Sequence, residues 1–282
     1  MNYTDFQINE FSINNMVAHP SILAIAKRGS GKSWIIRDIM YHNQNIPGGI
    51  LIAATDRLNS FYKNFFPDLY IHYEVSPVIF KKTLIRQKKM MEKAEHKAAK
   101  GLKVDPSAIM VMDDCLAQKN VWIKDPTVLE ILANGRHYKL TYILTTQYSM
   151  SVPPELRTNF DYIFILNEDF SSNKRRLYEH YVNMFPHYKI FEFVFDEVVK
   201  DYGSLVLDNR KPSKDISKKI FWYRAKDREF SFKFGSSQFR EFHKKYYDPE
   251  YDKRMMNDEF NINSILPSKK FTPFKVVKVA QN

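Results

Sequence analysis

Ser21-Ile22-Leu23-Ala24-Ile25-Ala26-Lys27-Arg28-Gly29-Ser30-Gly31-Lys32-Ser33 is the stretch that decides the fold. Its apolar first half reads as a buried strand. A glycine-bearing loop follows, and Trp34-Ile35-Ile36-Arg37-Asp38-Ile39-Met40 begins a helix. Strand, loop and helix in that order are the setting of the phosphate-binding pattern G-x-x-x-x-G-K-[ST], with Ala26 in place of the first glycine. Backbone N–H groups of residues 26–33 and of the helix N-terminus would form an anion nest for a nucleotide. Lys32 is expected at the β- and γ-phosphates and the Ser33 hydroxyl at Mg²⁺. Gly29 and Gly31 let the backbone approach the phosphates, whereas Ala26 requires an ordinary φ. The competing reading is a chance strand–turn–helix carrying a surface lysine, which G-S-G-K-S in this setting disfavours.

Outward from this stretch, short apolar runs alternate with helical patterns, as in a mostly parallel α/β sheet. Ile50-Leu51-Ile52-Ala53-Ala54-Thr55 follows a Pro-Gly-Gly turn, and a weaker strand is expected at 69–74. Ser76-Pro77 starts a helix. Ala108–Asp113, Leu140–Thr146 and 162–166 read as buried strands, with a helix at 125–136 between the first two. Helices are expected at 173–182 and 191–199, and late strands at 205–207 and 220–223. An ATPase domain over 1–225, with its motifs at 21–167, then gives way to an irregular extension over 226–282.

Ile109-Met110-Val111-Met112-Asp113-Asp114 is an apolar strand ending in two carboxylates. Such a strand delivers an acid to the Mg²⁺ shell beside a phosphate loop. Asp113 is assigned to the metal, directly or through water, and Asp114 to the attacking water. The alternative is a pair of solvated acids at a strand end. Thr145-Thr146-Gln147 ends the next strand in polar groups, and Gln147 is placed to bond the γ-phosphate or the lytic water. Arg136 in Asn134-Gly135-Arg136-His137 and Arg157 in Pro153-Pro154-Glu155-Leu156-Arg157 are two candidates for insertion into a neighbouring subunit's site. An arginine so supplied neutralises transition-state charge; for each, the plain alternative is a surface arginine or an ion-pair partner.

The 282 residues suit one large α/β domain, or a domain with extensions, and 44% hydrophobic content allows a sizeable core. Forty-three Lys and Arg against 32 Asp and Glu leave a net charge of +11, which suits a polyanionic partner as well as a merely soluble basic protein. Cys115 is the only cysteine, so neither a disulfide framework nor a cysteine-based zinc site is available. No signal peptide and no run of about 18 apolar residues is present, and the chain reads as soluble and intracellular.

Taken together and in order, Ala26 to Ser33, Asp113-Asp114, Gly135-Arg136-His137, Thr145-Thr146-Gln147 and Pro154-x-x-Arg157-x-Asn159 resemble the DNA-packaging ATPases of large nucleocytoplasmic DNA viruses, the poxvirus-type branch of the FtsK/HerA superfamily. The resemblance covers about half the chain, from Ser21 to Asn167. It implies a RecA-like core whose sensor strand lies between the phosphate-loop and acidic strands. It also implies a homo-oligomeric ring of five or six subunits, using ATP and Mg²⁺ to drive double-stranded DNA into a capsid. Capsid proteins would be partners, and the host cytoplasm at virus assembly sites, or the virion, the location. Ala26 and Asp114 depart from the commonest motor pattern.

Alternative readings keep the motor but place it in repair or segregation, or drop DNA movement for a nucleotide-regulated switch. A GTPase version would want Asn-Lys-x-Asp, and Asn173-Lys174-Arg175-Arg176 lacks the acid. The Lys-rich segment 81–103 is either a DNA-backbone contact or a solvated helix face. Phe230-Ser231-Phe232-Lys233-Phe234 alternates like a half-buried strand, and the basic stretch 269–282 reads as a tail that docks on capsid or DNA.

Overall fold

The strand before the phosphate loop has neighbours on both sides and cover on both faces, which is why it is apolar throughout. The computed structural model describes residues 7–213, 215–228 and 232–251. Its strands are β1 (Asn9–Glu10), β2 (Ser21–Ile25), β3 (Gly49–Ala53), β4 (Ile71–His72), β5 (Ala108–Asp113), β6 (Leu140–Thr146), β7 (Tyr162–Ile165), β8 (Gly203–Asp208) and β9 (Ile220–Arg224). Its α-helices are α1 (Lys32–His42), α2 (Asp56–Asn59), α3 (Pro77–Ala98), α4 (Lys119–Trp122), α5 (Pro126–Asn134), α6 (Pro154–Arg157), α7 (Ser171–Tyr181), α8 (Tyr188–Val198) and α9 (Ser237–Tyr246).

The strands form one sheet in the order β1-β9-β8-β7-β2-β6-β5-β3-β4. Every neighbouring pair is parallel except those made by β8, which runs antiparallel to β7 and β9. The fold is therefore α/β with a mostly parallel sheet, and β6 lies between β2 and β5 as expected for a sensor strand. This topology brings the ends of β2, β5, β6 and β9 to one edge of the sheet. The reversal of β8 puts its start, Gly203, at that same edge.

Alternation along β2 divides the core in two. Leu23 and Ile25 join a cluster with Phe80 and Leu84 of α3, Val128 and Ile131 of α5, and Phe191 and Phe195 of α8. Ile22 and Ala24 face the other way, onto Ile35, Ile36 and Ile39 of α1. Each such fully buried branched side chain contributes about 1.5–3 kcal/mol. Ser76 caps α3 by accepting from the Val78 N–H, and Asp125 caps α5 by accepting from Thr127 and Val128. On α3, Phe80, Thr83, Leu84 and Gln87 are buried at helical spacing, while Lys81, Lys82, Lys89 and Lys93 are exposed. Among the described residues, no helix is long and apolar enough to cross a membrane.

Two expectations change. The strand expected at 69–74 is only Ile71–His72, because Asp68–Tyr70 close a 3₁₀ turn before it. In the aromatic alternation, positions 229–231 lie outside the described residues. Phe232 and Phe234 are buried but belong to no strand. Their rings lie 4.8 and 5.2 Å from Phe65 and Phe66, and Phe234 N–H donates to the Phe65 carbonyl, so they pack on the turn that follows the 3₁₀ segment Tyr62–Asn64 rather than on a ladder. Past residue 225 the described chain makes contacts back to residues before it. Gly235 and Ser236 N–H groups donate to Gln44 and Pro47 carbonyls, and Phe239 of α9 stacks on Tyr70 at 3.9 Å. The basic stretch 269–282 lies outside the described residues.

Candidate active site

At the end of β2 the Ala26 N–H donates to the Thr146 carbonyl at 2.9 Å, which seats the phosphate loop beside the sensor strand. Ala26 is buried and stays out of the positive-φ region, as an alanine must. The loop turns through Gly29 (φ 80°) and Gly31 (φ 94°), values that favour glycine. The Ser30 hydroxyl donates to the Lys27 carbonyl at 2.6 Å, and the Trp34 and Ile35 N–H groups close α1 on the Gly31 carbonyl. Lys27 pairs with Asp169, and its ammonium stands 5.3 Å from the Phe170 ring.

Lys32 leans across to the acidic strand. Its Nζ lies 3.1 Å from Asp113 Oδ1 and 3.9 Å from Asp114 Oδ1. Asp113 is buried and fully engaged: Oδ1 accepts from the Thr145 hydroxyl at 2.5 Å and Oδ2 from the Tyr62 hydroxyl at 2.8 Å. Burial, and then the Asp113 charge, push the Tyr62 phenol well above its ordinary pKa, so it stays a donor. Asp114 leaves β5 in a left-handed turn (φ 55°), with its N–H donating to Thr145 Oγ1 at 3.1 Å. Its Oδ2 accepts from Gln147 Nε2 at 2.6 Å. The structure thus brings Lys32, Asp113, Asp114 and Gln147 into one contiguous polar cluster. Cys115, next in the chain, is buried, and desolvation followed by the two neighbouring carboxylates pushes its thiol up to about 12.

The donor set suits Mg²⁺. The Tyr62 phenol donates to Asp113 Oδ2, and Ser33 lines the same cleft as Asp114, the residue next to Asp113. Mg²⁺ takes one or two carboxylates and completes its shell with water and substrate phosphates. Among the described residues there is no group of three or more His, Cys, Asp or Glu side chains to cage a metal. Phosphate and water are then the remaining ligands of a cation held here.

Both arginines stand away from this cluster. Arg136 precedes β6 and so lies at the opposite edge of the sheet, half-exposed and paired with Asp161. Arg157, the other candidate for insertion into a neighbour, is engaged within its own chain. It is buried, its Nε donates to the Val152 carbonyl at 2.9 Å, and its guanidinium stands 4.8 Å from the Tyr181 ring. The pocket that Tyr181 and the 149–152 turn make for it inside its own chain consumes the group.

The phosphate loop forms one end of a cleft of about 1170 Å³. Lys32, Ser33, Asp114 and Gln147 line the cleft, as do Tyr202, Trp222 and Arg224. Sequence reasoning missed Tyr62, Thr145, Tyr202 and Trp222. Thr145 carried a signal, a hydroxyl two residues before Gln147 on the strand that neighbours the acidic one. Tyr62 carried none, since it sits in a short 3₁₀ turn, Tyr62–Asn64, with no periodicity.

Comparison with known proteins places the chain among viral relatives. A 53% identical relative, the uncharacterized protein L437 of Acanthamoeba polyphaga mimivirus, aligns over 89% of this chain and 88% of its own. The uncharacterized protein 075L of Invertebrate iridescent virus 6 is 32% identical over 85% of this chain and 90% of its own. Among solved structures, B204, the DNA-packaging ATPase from Sulfolobus Turreted Icosahedral Virus, superposes with a TM-score of 0.53 over 75% of this chain and 100% of its own at 16% identity, a likeness of fold. The family described as Poxvirus A32 protein matches over residues 8–183, which hold the phosphate loop, the acidic pair and the sensor strand, and the chain belongs to that family.

Proposed function

We propose that this protein is a Mg²⁺-dependent ATPase that drives double-stranded DNA into a viral capsid as a homo-oligomeric ring. The observation that carries the reading is the polar relay Lys32–Asp113–Thr145–Asp114–Gln147 at the mouth of a phosphate loop. Asp113 holds Lys32; an incoming β,γ-phosphate pair offers it a denser negative charge, and the ammonium exchanges partners. Asp113 and Ser33 would hold Mg²⁺ there, and the ion when bound would neutralise charge that develops on the phosphates. Asp114, fixed by Thr145 and Gln147, orients and accepts a proton from the attacking water. Gln147 touches the same carboxylate, so loss of the γ-phosphate changes the hydrogen bonding at the end of β6 and is felt by that strand. Arg136, at the far edge of the sheet, serves only a neighbouring subunit's site.

Family membership, the DNA-packaging role of B204, and the net charge of +11 all favour DNA as the cargo. The exposed lysines of α3 offer sequence-independent phosphate contacts. The test is ATP hydrolysis with and without long duplex DNA, beside Lys32→Ala. DNA stimulation of several-fold in the wild type, with a dead variant, is expected. Wild-type hydrolysis indifferent to DNA at low and moderate salt would remove translocation and leave a nucleotide-regulated protein.

A further inference from the structure

Beside the phosphate loop the cleft is also walled by aromatic residues that the hydrolytic machinery does not use. Tyr202 immediately precedes β8, and the reversal of that strand brings it to the phosphate-loop edge. It is 67% exposed although large and apolar. Asp201 and Tyr202 both sit in the left-handed region (φ 52° and 65°), an unfavourable conformation for two consecutive side-chain-bearing residues. The result is a ring laid against the loop: a Cβ at Gly31 would come within 3.4 Å of Tyr202 Cδ1. Trp222 lies on β9, in register with Glu10 of the edge strand β1, and lines the same cleft.

This wall is fastened to the helix that carries the phosphate-binding residues. Asp38 of α1 is fully buried and accepts from Tyr223 OH at 2.6 Å, Lys226 N–H at 2.8 Å and Arg228 Nε at 3.0 Å. Arg37, one residue earlier, lies 4.0 Å over the Trp34 ring and 3.3 Å from Asp227 Oδ1. The chain leaving β9 is therefore held at a set distance from Lys32 and Ser33. Ligand clefts usually run to about 300–1,000 Å³, and this one, at about 1170 Å³, extends well past what phosphates occupy.

We propose that Tyr202 and Trp222 form the base-recognition subsite of this cleft and hold a purine ring by stacking. The inference rests on the phosphate-loop reading and adds the residues that select the rest of the nucleotide. Stacking depends on ring area, so a purine is held better than a pyrimidine. At the ring edge, Glu10 and Asp227 supply acceptors and Arg224 and Lys226 donors.

The test is calorimetric titration, with Mg²⁺, of a non-hydrolysable ATP analogue, the corresponding CTP analogue and inorganic tripolyphosphate. The proteins are the wild type, Tyr202→Ala, Trp222→Ala, Tyr202→Phe and Lys32→Ala, each checked for a wild-type melting curve. Tyr202→Ala and Trp222→Ala should each weaken the ATP analogue by about 5- to 50-fold, leave tripolyphosphate within about twofold, and erase the preference over CTP. Tyr202→Phe should bind as the wild type does. Unchanged ATP-analogue affinity in both alanine variants would overturn the subsite. So would an equal loss for tripolyphosphate, which would mean that Tyr202 acts through Gly31 on the loop. Tripolyphosphate binding that is absent from the wild type, or indifferent to Lys32→Ala, would instead overturn the phosphate-loop reading, and the subsite with it.

Discussion

Thr145→Val separates the carboxylate relay from the phosphate loop. Thr145 is 1% exposed, and valine fills the same space without a hydroxyl. The hydroxyl makes two bonds at once, donating to Asp113 Oδ1 at 2.5 Å and accepting the Asp114 N–H at 3.1 Å. A bond to a carboxylate is worth about 1.5–3 kcal/mol and an orphaned N–H costs about 1–3 kcal/mol. Because the two share one oxygen they do not sum fully, and about 3 kcal/mol is the expected loss. At about 2.1 cal/mol/K of unfolding entropy per residue, 282 residues give roughly 0.6 kcal/mol/K, and the melting temperature falls by about 5 °C.

The catalytic effect should be of similar size in free energy, about 2.7 kcal/mol for a hundredfold loss. Asp114 holds a left-handed turn whose N–H would lose its partner, and a displacement of about 1 Å at the reacting centre costs about a hundredfold in rate. Binding of an ATP analogue should stay within about twofold, because the loop itself keeps all its contacts. Scanning calorimetry, nucleotide titration and steady-state hydrolysis read the three quantities, and Thr145→Ser should restore all of them. A Thr145→Val protein that melts with the wild type and turns over at the wild-type rate would refute the relay.

The two arginines should behave oppositely. Arg136→Ala should bind nucleotide but not turn over, and mixing it with Lys32→Ala subunits should recover activity, since each supplies what the other lacks; a mixture as inactive as its parts would remove Arg136 from trans catalysis. Arg157→Ala should gain nothing on mixing and instead lose about 2–4 kcal/mol of stability from its bond to Val152 and its contact with Tyr181, measured by urea denaturation. Burial holds Cys115 neutral and raises its thiol from an ordinary 9.0 to about 12, so it favours the fold fully below about pH 9. That contribution is lost as pH rises toward 12, so stability should decline over this window, less in Cys115→Ala. Thiol labelling at pH 8 should track global unfolding in urea, and rapid labelling of the native protein would contradict this.

Much of the parallel sheet was legible because each of its central strands is covered on both faces and so reads as an apolar run. Ala108–Asp113 and Leu140–Thr146 fall where the composition changes from apolar to polar, since polar groups at strand ends are the ones that face the cleft. The start of α3 was legible for a local reason, a serine cap followed by proline. What escaped has its cause in distance along the chain. Tyr62 reaches Asp113 across two strands, and Arg157 is absorbed by Tyr181 from a later helix; neither partner leaves a trace at the residue itself. Phe232 and Phe234 alternate as a strand does because alternate side chains are buried, but burial against the turn at Phe65 and Phe66 imposes the same alternation as a ladder.

The position of Arg136 gives the proposed ring a mechanical reading. Phosphate loop and arginine sit at opposite edges of one sheet, separated by the length of β6, about 3.3 Å for each of its seven residues. No rearrangement short of unfolding brings Arg136 to its own Lys32, so any catalytic use of it requires a second subunit turned with its far edge toward the first. The same strand that begins beside Arg136 ends in Thr145 and Gln147, which hold Asp114. Under the proposed ring, one strand therefore joins the group that a subunit lends to its neighbour with the groups that sense its own nucleotide. Pairing with Asp161 keeps the lent guanidinium occupied until a denser negative charge is presented to it. Hydrolysis would then pass from subunit to subunit along β6 with no separate relay element, and DNA would feel the ring advance one site at a time.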